Sequence, residues 1–397
     1  MKRAAVTGGA GAGAPVPASV DPAAYQDWAA LPDDLLLTVM ESLAIPDLFR
    51  AGTACSSWYA AYSTARRARI PIRDSAPCLL YSGEADDDST ATLYSPSSGD
   101  CFRVRLPDPP LRSRGLVGSA HGWLVTADEQ SNLHLVNLLT GAQVALPPVT
   151  GLHHVESFVD EEGNLVYSVD ESLGPDDPEA NLPEFEELAD REVPVEYPAQ
   201  KLHLFMYHRN DGLFYLLSFD GSICALDLSG SNPVARNIMK KNTQWDNPSK
   251  YIVLAPWGDL LEVWRLRDFD EPDETPEGSS VEFEDRSDKW LTEEIMLYKV
   301  DIDKQKLVKM HSIGDHALFL GFNSVVCLPT KNFPMLKPDC AYLSDEFYEE
   351  ICVKRHNWRE IGIWDLKNCK LQSLGDVESL HVWRNWPSPI WITPSLN

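Results

Sequence analysis

From Cys78 onward the chain is written in apolar runs of about four to eight residues, cut by Gly, Asn, Asp and Pro, the pattern of short β-strands and tight turns. A weak repeat runs through this texture. Val136-Asn137-Leu138, Leu226-Asp227-Leu228, Val300-Asp301-Ile302 and Trp364-Asp365-Leu366 each end one apolar run, enter a turn and return as a second. The clearest copy is LHLVNLLTGAQVALPP at 133–148, where Thr140-Gly141 supplies the turn. ATLYSPSSGDCFRVRLP at 91–107 is a further copy, centred on Tyr94, 43 residues before Asn137. Repeats of about 40–50 residues made of four short strands are the mark of propeller blades. At that period the chain has room for roughly six blades, with a pair of β-sandwiches as the structural alternative. The 12 Trp and 29 Pro point the same way, because rings fill pleated faces and Pro punctuates short strands.

Charge narrows the partners. Sixty Asp and Glu against 34 Lys and Arg leave a net charge of −26. A chain this acidic repels phosphate, which argues against electrostatic binding of DNA, RNA or an anionic membrane surface. The charge is also local: residues 156–196 hold 15 Asp/Glu and one Arg, and residues 268–288 hold 10 and one. Both stretches carry Pro and lack a sustained apolar period, so solvated inserts are expected at about 156–200 and 268–289. An acidic clamp for a basic partner is the alternative use of them. No apolar stretch reaches the roughly 18 residues of a transmembrane helix. Residues 1–24 are Ala/Gly/Pro-rich, and read as a disordered leader with the marks of neither a secretory signal nor a transit peptide. Eight dispersed Cys, with no Cys-x-x-Cys pair, fit reduced thiols in the cytoplasm or nucleus.

Residues 28–69 differ from the rest and read as three short helices. Pro32 suits a first helical position, Asp33 and Asp34 suit the positive end of the dipole, and Leu35, Leu36, Val39 and Leu43 line one face. Pro46 and Asp47 start a second helix, and a third runs from about Ser56 to Arg67, with Trp58 and Tyr62 four apart. Such a unit buries too little to stand alone, so it needs a partner or a neighbouring domain. Gly52 inside the second helix weakens it by ~1 kcal/mol on propensity.

No catalytic set emerges. Gly118-Ser119-Ala120-His121-Gly122 has the wrong spacing for a nucleophile elbow and reads as a turn leading into a strand. Cys340, Cys352, His356 and Cys369 lack the tight pair that fixes two zinc ligands on one turn. No metal and no cofactor are expected. The Trp- and Pro-dense stretch HVWRNWPSPIWITP at 381–394 is expected to pack as a terminal strand through Trp383, Trp386 and Trp391, pairing with an early strand to close the ring. An extended Pro-rich ligand for another protein's aromatic groove is its alternative.

The helical segment WAALPDDLLLTVMESLAIPDLFRAGTACSSWYAAY (28–62) resembles an F-box. Leu31, Pro32, Leu35, Leu36, Leu43, Pro46, Asp47, Leu48, Arg50, Cys55 and Trp58 fall in the family order; Ala44 and Ala54 depart from it. The remainder resembles the plant family in which an F-box precedes a KIB-type β-propeller. The blocks that carry this are 118–149, 313–346 and WPSPIWITP at 386–394. The resemblance implies a mainly β chain with a small α-helical module: an F-box at 25–70 and an irregular, kelch-like β-propeller at 77–394. It implies docking on a Skp-type adaptor, and through it a cullin, by Leu31, Pro32, Leu35, Leu36 and Leu48, with Leu43, Cys55 and Trp58 holding the helices together. The expected function is a non-catalytic substrate receptor of an SCF-type ubiquitin ligase, presenting a target protein held by the propeller. A non-ligase binding protein that regulates its target by occlusion is the alternative, and an enzymatic propeller with an accessory F-box is a third reading.

Overall fold

After the helices, short strands pair through their backbones into sheets along much of the described chain. The computed structural model describes residues 28–43, 45–68, 76–82, 86–87, 89–108, 111, 114–128, 130–151, 155–159, 165–169, 202–208, 211–218, 221–240, 248–270, 289–344, 356–374, 380–384 and 388–395. The expected leader lies outside these residues. A single 3-10 turn, Trp28–Ala30, leads into α1 (Asp33–Ser42), α2 (Ile45–Ala54) and α3 (Ser56–Ala68). Asp33 and Asp34 occupy the first turn of α1 and Arg66 and Arg67 the last turn of α3, each complementing the local helix dipole. Pro32 caps α1, its carbonyl accepting the Leu36 N–H at 3.0 Å. Cys55 does the same for α3, accepting from Tyr59 at 2.8 Å.

The strands follow in chain order. β1 (Cys78–Tyr81), β2 (Thr90–Ser95) and β3 (Asp100–Arg105) precede a meander of β4 (Gly115–Ala120), β5 (Trp123–Ala127), β6 (Leu133–Val136) and β7 (Gln143–Ala145). β8 (Val155–Val159) and β9 (Leu165–Val169) form a two-stranded pair. A second meander is β10 (Leu202–His208), β11 (Leu213–Ser218), β12 (Ile223–Asp227) and β13 (Val234–Met239). A third is β14 (Ser249–Leu254), β15 (Leu260–Asp270), β16 (Lys289–Asp301) and β17 (Lys306–Met310). The last stretch holds β18 (His316–Leu320), β19 (Val326–Pro329), β20 (Cys340–Leu343), β21 (His356–Glu360), β22 (Gly362–Asp365), β23 (Lys370–Gln372), β24 (Leu380–Arg384) and β25 (Ile390–Ile392).

These strands make a five-bladed propeller, four blades of four strands and one of five. Neighbouring blades touch through their first strands, β25 against β4, β10 against β14 and β14 against β19, so those strands line the axis. The ring is closed by pairing across the chain: β25 joins β1, with Leu79 opposite Trp391, as the innermost strand of the blade that holds β1–β3. The period expected from the sequence allowed about six blades. Five form because β15 and β16 are drawn out to 11 and 13 residues, and because the fourth blade takes five strands in the order β19-β18-β20-β22-β23, with β18 and β20 parallel. The β21–β24 pair lies outside the blades as well.

The weak repeat has a physical cause. Asn137, Asp227, Asp301 and Asp365 each stand at the end of the next-to-last strand of their blade, and each side-chain oxygen accepts N–H groups of the turn that follows. Asn137 Oδ1 takes Leu139 and Thr140 at 3.0 Å, Asp227 Oδ1 takes Ser229 at 2.9 Å, Asp301 Oδ1 takes Lys304 at 3.1 Å and Asp365 Oδ1 takes Lys367 and Asn368 at 3.0 and 2.9 Å. Asn and Asp favour such turns for this reason.

The meander fixes where everything emerges. Turns between first and second and between third and fourth strands share one end of the ring, here the turn end. Connections between second and third strands, and between blades, share the other. The stretch 271–288 joins β15 to β16 and the stretch 170–201 leads into β10, so both attach at the end opposite the turns. The structures of 271–288 and 170–201 lie outside the described residues. The first insert was expected to be loop from 156. Instead Val155, Phe158, Val159, Leu165, Val166, Tyr167 and Val169 form β8 and β9, their β-branched and aromatic content having been hidden by the acidic tally. Asp268 and Asp270 likewise belong to β15.

Candidate functional site

The three helices do not form a free-standing unit. Leu36, Met40, Leu48, Ala61, Tyr62 and Ala65 are buried in one apolar core that continues through Cys78, Leu80, Leu93, Leu124, Val136, Ile390 and Ile392 of the propeller. Arg50 on α2 reaches the turn end of the closing blade: its Nη2 lies 2.7 Å from Asp100 Oδ2 at the start of β3, its Nη1 3.1 Å from Asp47 Oδ1, and its guanidinium 5.8 Å from the Phe102 ring. The hydrogen bond from Arg50 holds the Asp100 carboxyl below its ordinary range. This pair is largely solvent-facing, so the apolar core does most of the holding.

The seated helices divide the five residues expected at an adaptor surface. Leu35 is 49% exposed and Pro32 is exposed, whereas Leu31 is half-buried against the core and Leu36 and Leu48 lie inside it. Consecutive leucines on a helix point about 100° apart, so one of the pair faces the seat and the other solvent. Two aromatic residues join the exposed set, Trp28 at 61% and Tyr59 at 62%. Trp28 is fixed by its carbonyl, which accepts the Trp58 Nε1–H at 2.9 Å. Leu43, Cys55 and Trp58 are half-buried, Leu43 and Trp58 against the shared core. Trp28, at the start of the helical segment, and Tyr59, beside Trp58, carried no signal of exposure, since ring residues in a short amphipathic unit ordinarily pack.

The rejected catalytic candidates fall in structural places. Gly118-Ser119-Ala120 is the end of β4 and His121-Gly122 the turn into β5, both with positive φ. The Ser119 hydroxyl donates to the Trp391 carbonyl of β25. The segment 321–325 leaves the fourth blade and pairs with β4, Ser119 N–H donating to Phe322 O at 3.4 Å and Ser324 N–H to Ser119 O at 2.7 Å. Cys340 is buried in β20, Cys369 sits exposed in the β22–β23 turn, and Cys352 lies outside the described residues. Trp391 is buried and meets the rings of Phe319 and Tyr342 at 5.1 and 6.3 Å. Trp386 lies outside the described residues.

Two buried polar groups stand in the third blade. Arg265 Nη2 meets Glu360 Oε2 at 2.7 Å and Arg265 Nε donates to Thr292 Oγ1 at 2.8 Å, while the Thr292 N–H donates to both Glu360 oxygens at 3.0 Å. On the other face Glu262 accepts from Trp264 Nε1 at 2.7 Å. Burial pushes its carboxyl up to about 7, against the pull of that indole and of Lys250. Among the described residues no group of three or more His, Cys, Asp or Glu could hold a metal ion.

The family model described as KIB1-4 beta-propeller matches residues 93–365, and an F-box-like model matches 28–66. The chain belongs to the KIB1-4 β-propeller family. This KIB-type F-box protein is similar to the F-box protein At2g05970 of Arabidopsis thaliana, 23% identical over 80% of this chain and 84% of that one. It is 31% identical to F-box only protein 7 of the same plant over 31% of this chain, a match that covers only 30% of that relative's length. Among solved structures, the β-propeller domain of Myceliophteria thermophila Cps50 (Swd1) aligns over 78% of this chain and 89% of that one at 13% identity and a TM-score of 0.24, too distant to bear on function.

Proposed function

We propose that this F-box protein is the substrate-recognition subunit of an SCF-type ubiquitin ligase, docking a Skp-type adaptor, and through it a cullin, by its helices and a target protein by its propeller. Its contribution is proximity, with no bond chemistry of its own. The observation that supports the reading is the exposure of Trp28, Pro32, Leu35 and Tyr59 on a helical module that shares one apolar core with the propeller. Exposed aromatic and aliphatic anchors on a preorganised element are what a protein interface uses. We assign the work to the cytoplasm or nucleus, where thiols stay reduced. The occlusion alternative rests on Gly52 and on the departures from the F-box pattern at Ala44 and Ala54. Gly52 is packed directly against Tyr62, so it belongs to a built helix contact.

The test is binding of the purified full chain to a Skp-type adaptor, alongside Leu35→Asp. Leu35 is exposed, so the charge leaves the fold intact while it breaks an apolar interface. A loss of about thirtyfold or more in affinity is expected, with an unchanged melting curve. A folded parent chain that fails to bind the adaptor would leave the ligase reading without support.

A further inference from the structure

Asn137 stands where the equivalent turns of the second, third and fourth blades carry Asp227, Asp301 and Asp365. Accepting the N–H groups of the turn needs only an oxygen, which carboxylate and amide both supply. Asn137 does more. Its Nδ2 donates to the carbonyl of Ser395 at 2.9 Å, a bond no carboxylate can make. Asn137 is fully buried, and the three aspartates are half-buried. The segment that Asn137 grips is held closely elsewhere too. Gly122, at φ +87°, faces Ser395 so tightly that a Cβ there would lie 2.5 Å from the Ser395 Cβ and 2.9 Å from its backbone nitrogen. Four residues earlier, the Ser119 hydroxyl donates to the Trp391 carbonyl. The first blade thus clasps the end of the closing strand at three points.

That strand serves two structures at once. β25 completes the closing blade by pairing with β1 through Cys78, Leu79 and Leu80. Its Ile390 and Ile392 also belong to the apolar core that holds Leu36, Met40, Leu48 and Tyr62 of the helices. We propose that residues 390–395 form a latch, held shut by Asn137, that couples closure of the ring to seating of the helices, so that displacing the latch loosens both. If the helices bind an adaptor, which rests on the function proposed above, the coupling runs both ways and the adaptor tightens the latch.

Hydrogen exchange on the full chain tests this. Asn137→Asp keeps the volume and the turn-capping oxygen, loses the Ser395 bond and sets a carboxylate against a carbonyl. Exchange of the β1 and β25 amides is expected to rise about tenfold or more, with a parallel rise in α1 and α3. The reverse swap in the second blade, Asp227→Asn, should leave all four elements at parental rates. Ile392→Val leaves Asn137 intact and pares one methylene from the shared core, and so serves if Asn137→Asp does not fold; about threefold faster exchange is expected in β1 and the helices. Parental rates in β1 and β25 of Asn137→Asp would remove Asn137 as the clasp. Faster exchange there with unaltered helices, in either variant, would remove the coupling. Adding Skp-type adaptor to the parent chain reads the linkage separately. Slower exchange in β25 supports it, and protected helices with an unaltered β25 overturn it. Helices that gain no protection overturn the adaptor reading alone and leave the variant comparison standing.

Discussion

At position 52, helix propensity and packing pull in opposite directions. An alanine inside α2 is favoured over glycine by about 1 kcal/mol on propensity. A Cβ at Gly52 would lie 2.8 Å from Cγ and Cδ1 of Tyr62 and 3.2 Å from its Cβ, and Tyr62 is buried between α2 and α3 beside Phe49. Gly52→Ala is therefore expected to destabilise the chain by about 1–3 kcal/mol, read as a lower urea midpoint; a more stable variant would mean that the ring moves aside at no cost. Glu262 is the second telling residue. Its carboxyl titrates near 7 in the fold and near 4.3 in an unfolded chain. Between those values the folded chain keeps a proton that the unfolded chain has lost, so the contribution of Glu262 falls as pH rises across that window. Glu262→Gln should gain about 2–3 kcal/mol over the parent at pH 8 and little at pH 4, measured by urea unfolding at both. Equal gains at the two pH values would count against a titrating Glu262. In the sequence Gly52 stands out only for its propensity cost and Glu262 not at all, because the Tyr62 ring against Gly52 and the burial of Glu262 exist only in the assembled fold.

Among elements, the legible ones were those whose signal is local. The third helix and the recurring Asn/Asp at the ends of next-to-last strands follow from groups within four residues of one another, and a reader of the chain can see them, whereas Pro32, expected at the first helical position, caps α1 instead. β8 and β9 were missed because their apolar residues share a stretch with many carboxylates. The paired leucines were divided between seat and surface only once a propeller lay beneath them. The drawn-out β15 and β16 show a similar dependence, since Arg265 and Thr292 on this hairpin converge on Glu360 of β21. Glu360→Ala leaves a buried guanidinium without its carboxylate and should cost about 3–5 kcal/mol. Arg50→Ala at the exposed pair should cost far less. Parallel denaturation curves would show the contrast, and similar losses in the two variants would mean that the buried network is not what holds the hairpin.

For the whole molecule, the sequence conveyed the two-part architecture and the ring, but one blade too many. Blade count depends on how much chain each blade absorbs, and a parallel insertion such as β18 against β20 leaves no periodic trace. That the helices and the propeller share one core was likewise out of reach, though the shortage of buried surface in three short helices pointed to some neighbour. Closure by β25 also has a bearing on synthesis. Leu79 finds its partner in Trp391, so during translation the earliest blade to emerge waits, an inner strand short, until more than 300 later residues have left the ribosome. Contacts this distant in sequence form late and slowly, and the nascent chain meanwhile exposes an unpaired strand edge and the apolar underside of its helices. The emergence of β25 is then the event that first closes the ring and completes the core on which the helices sit.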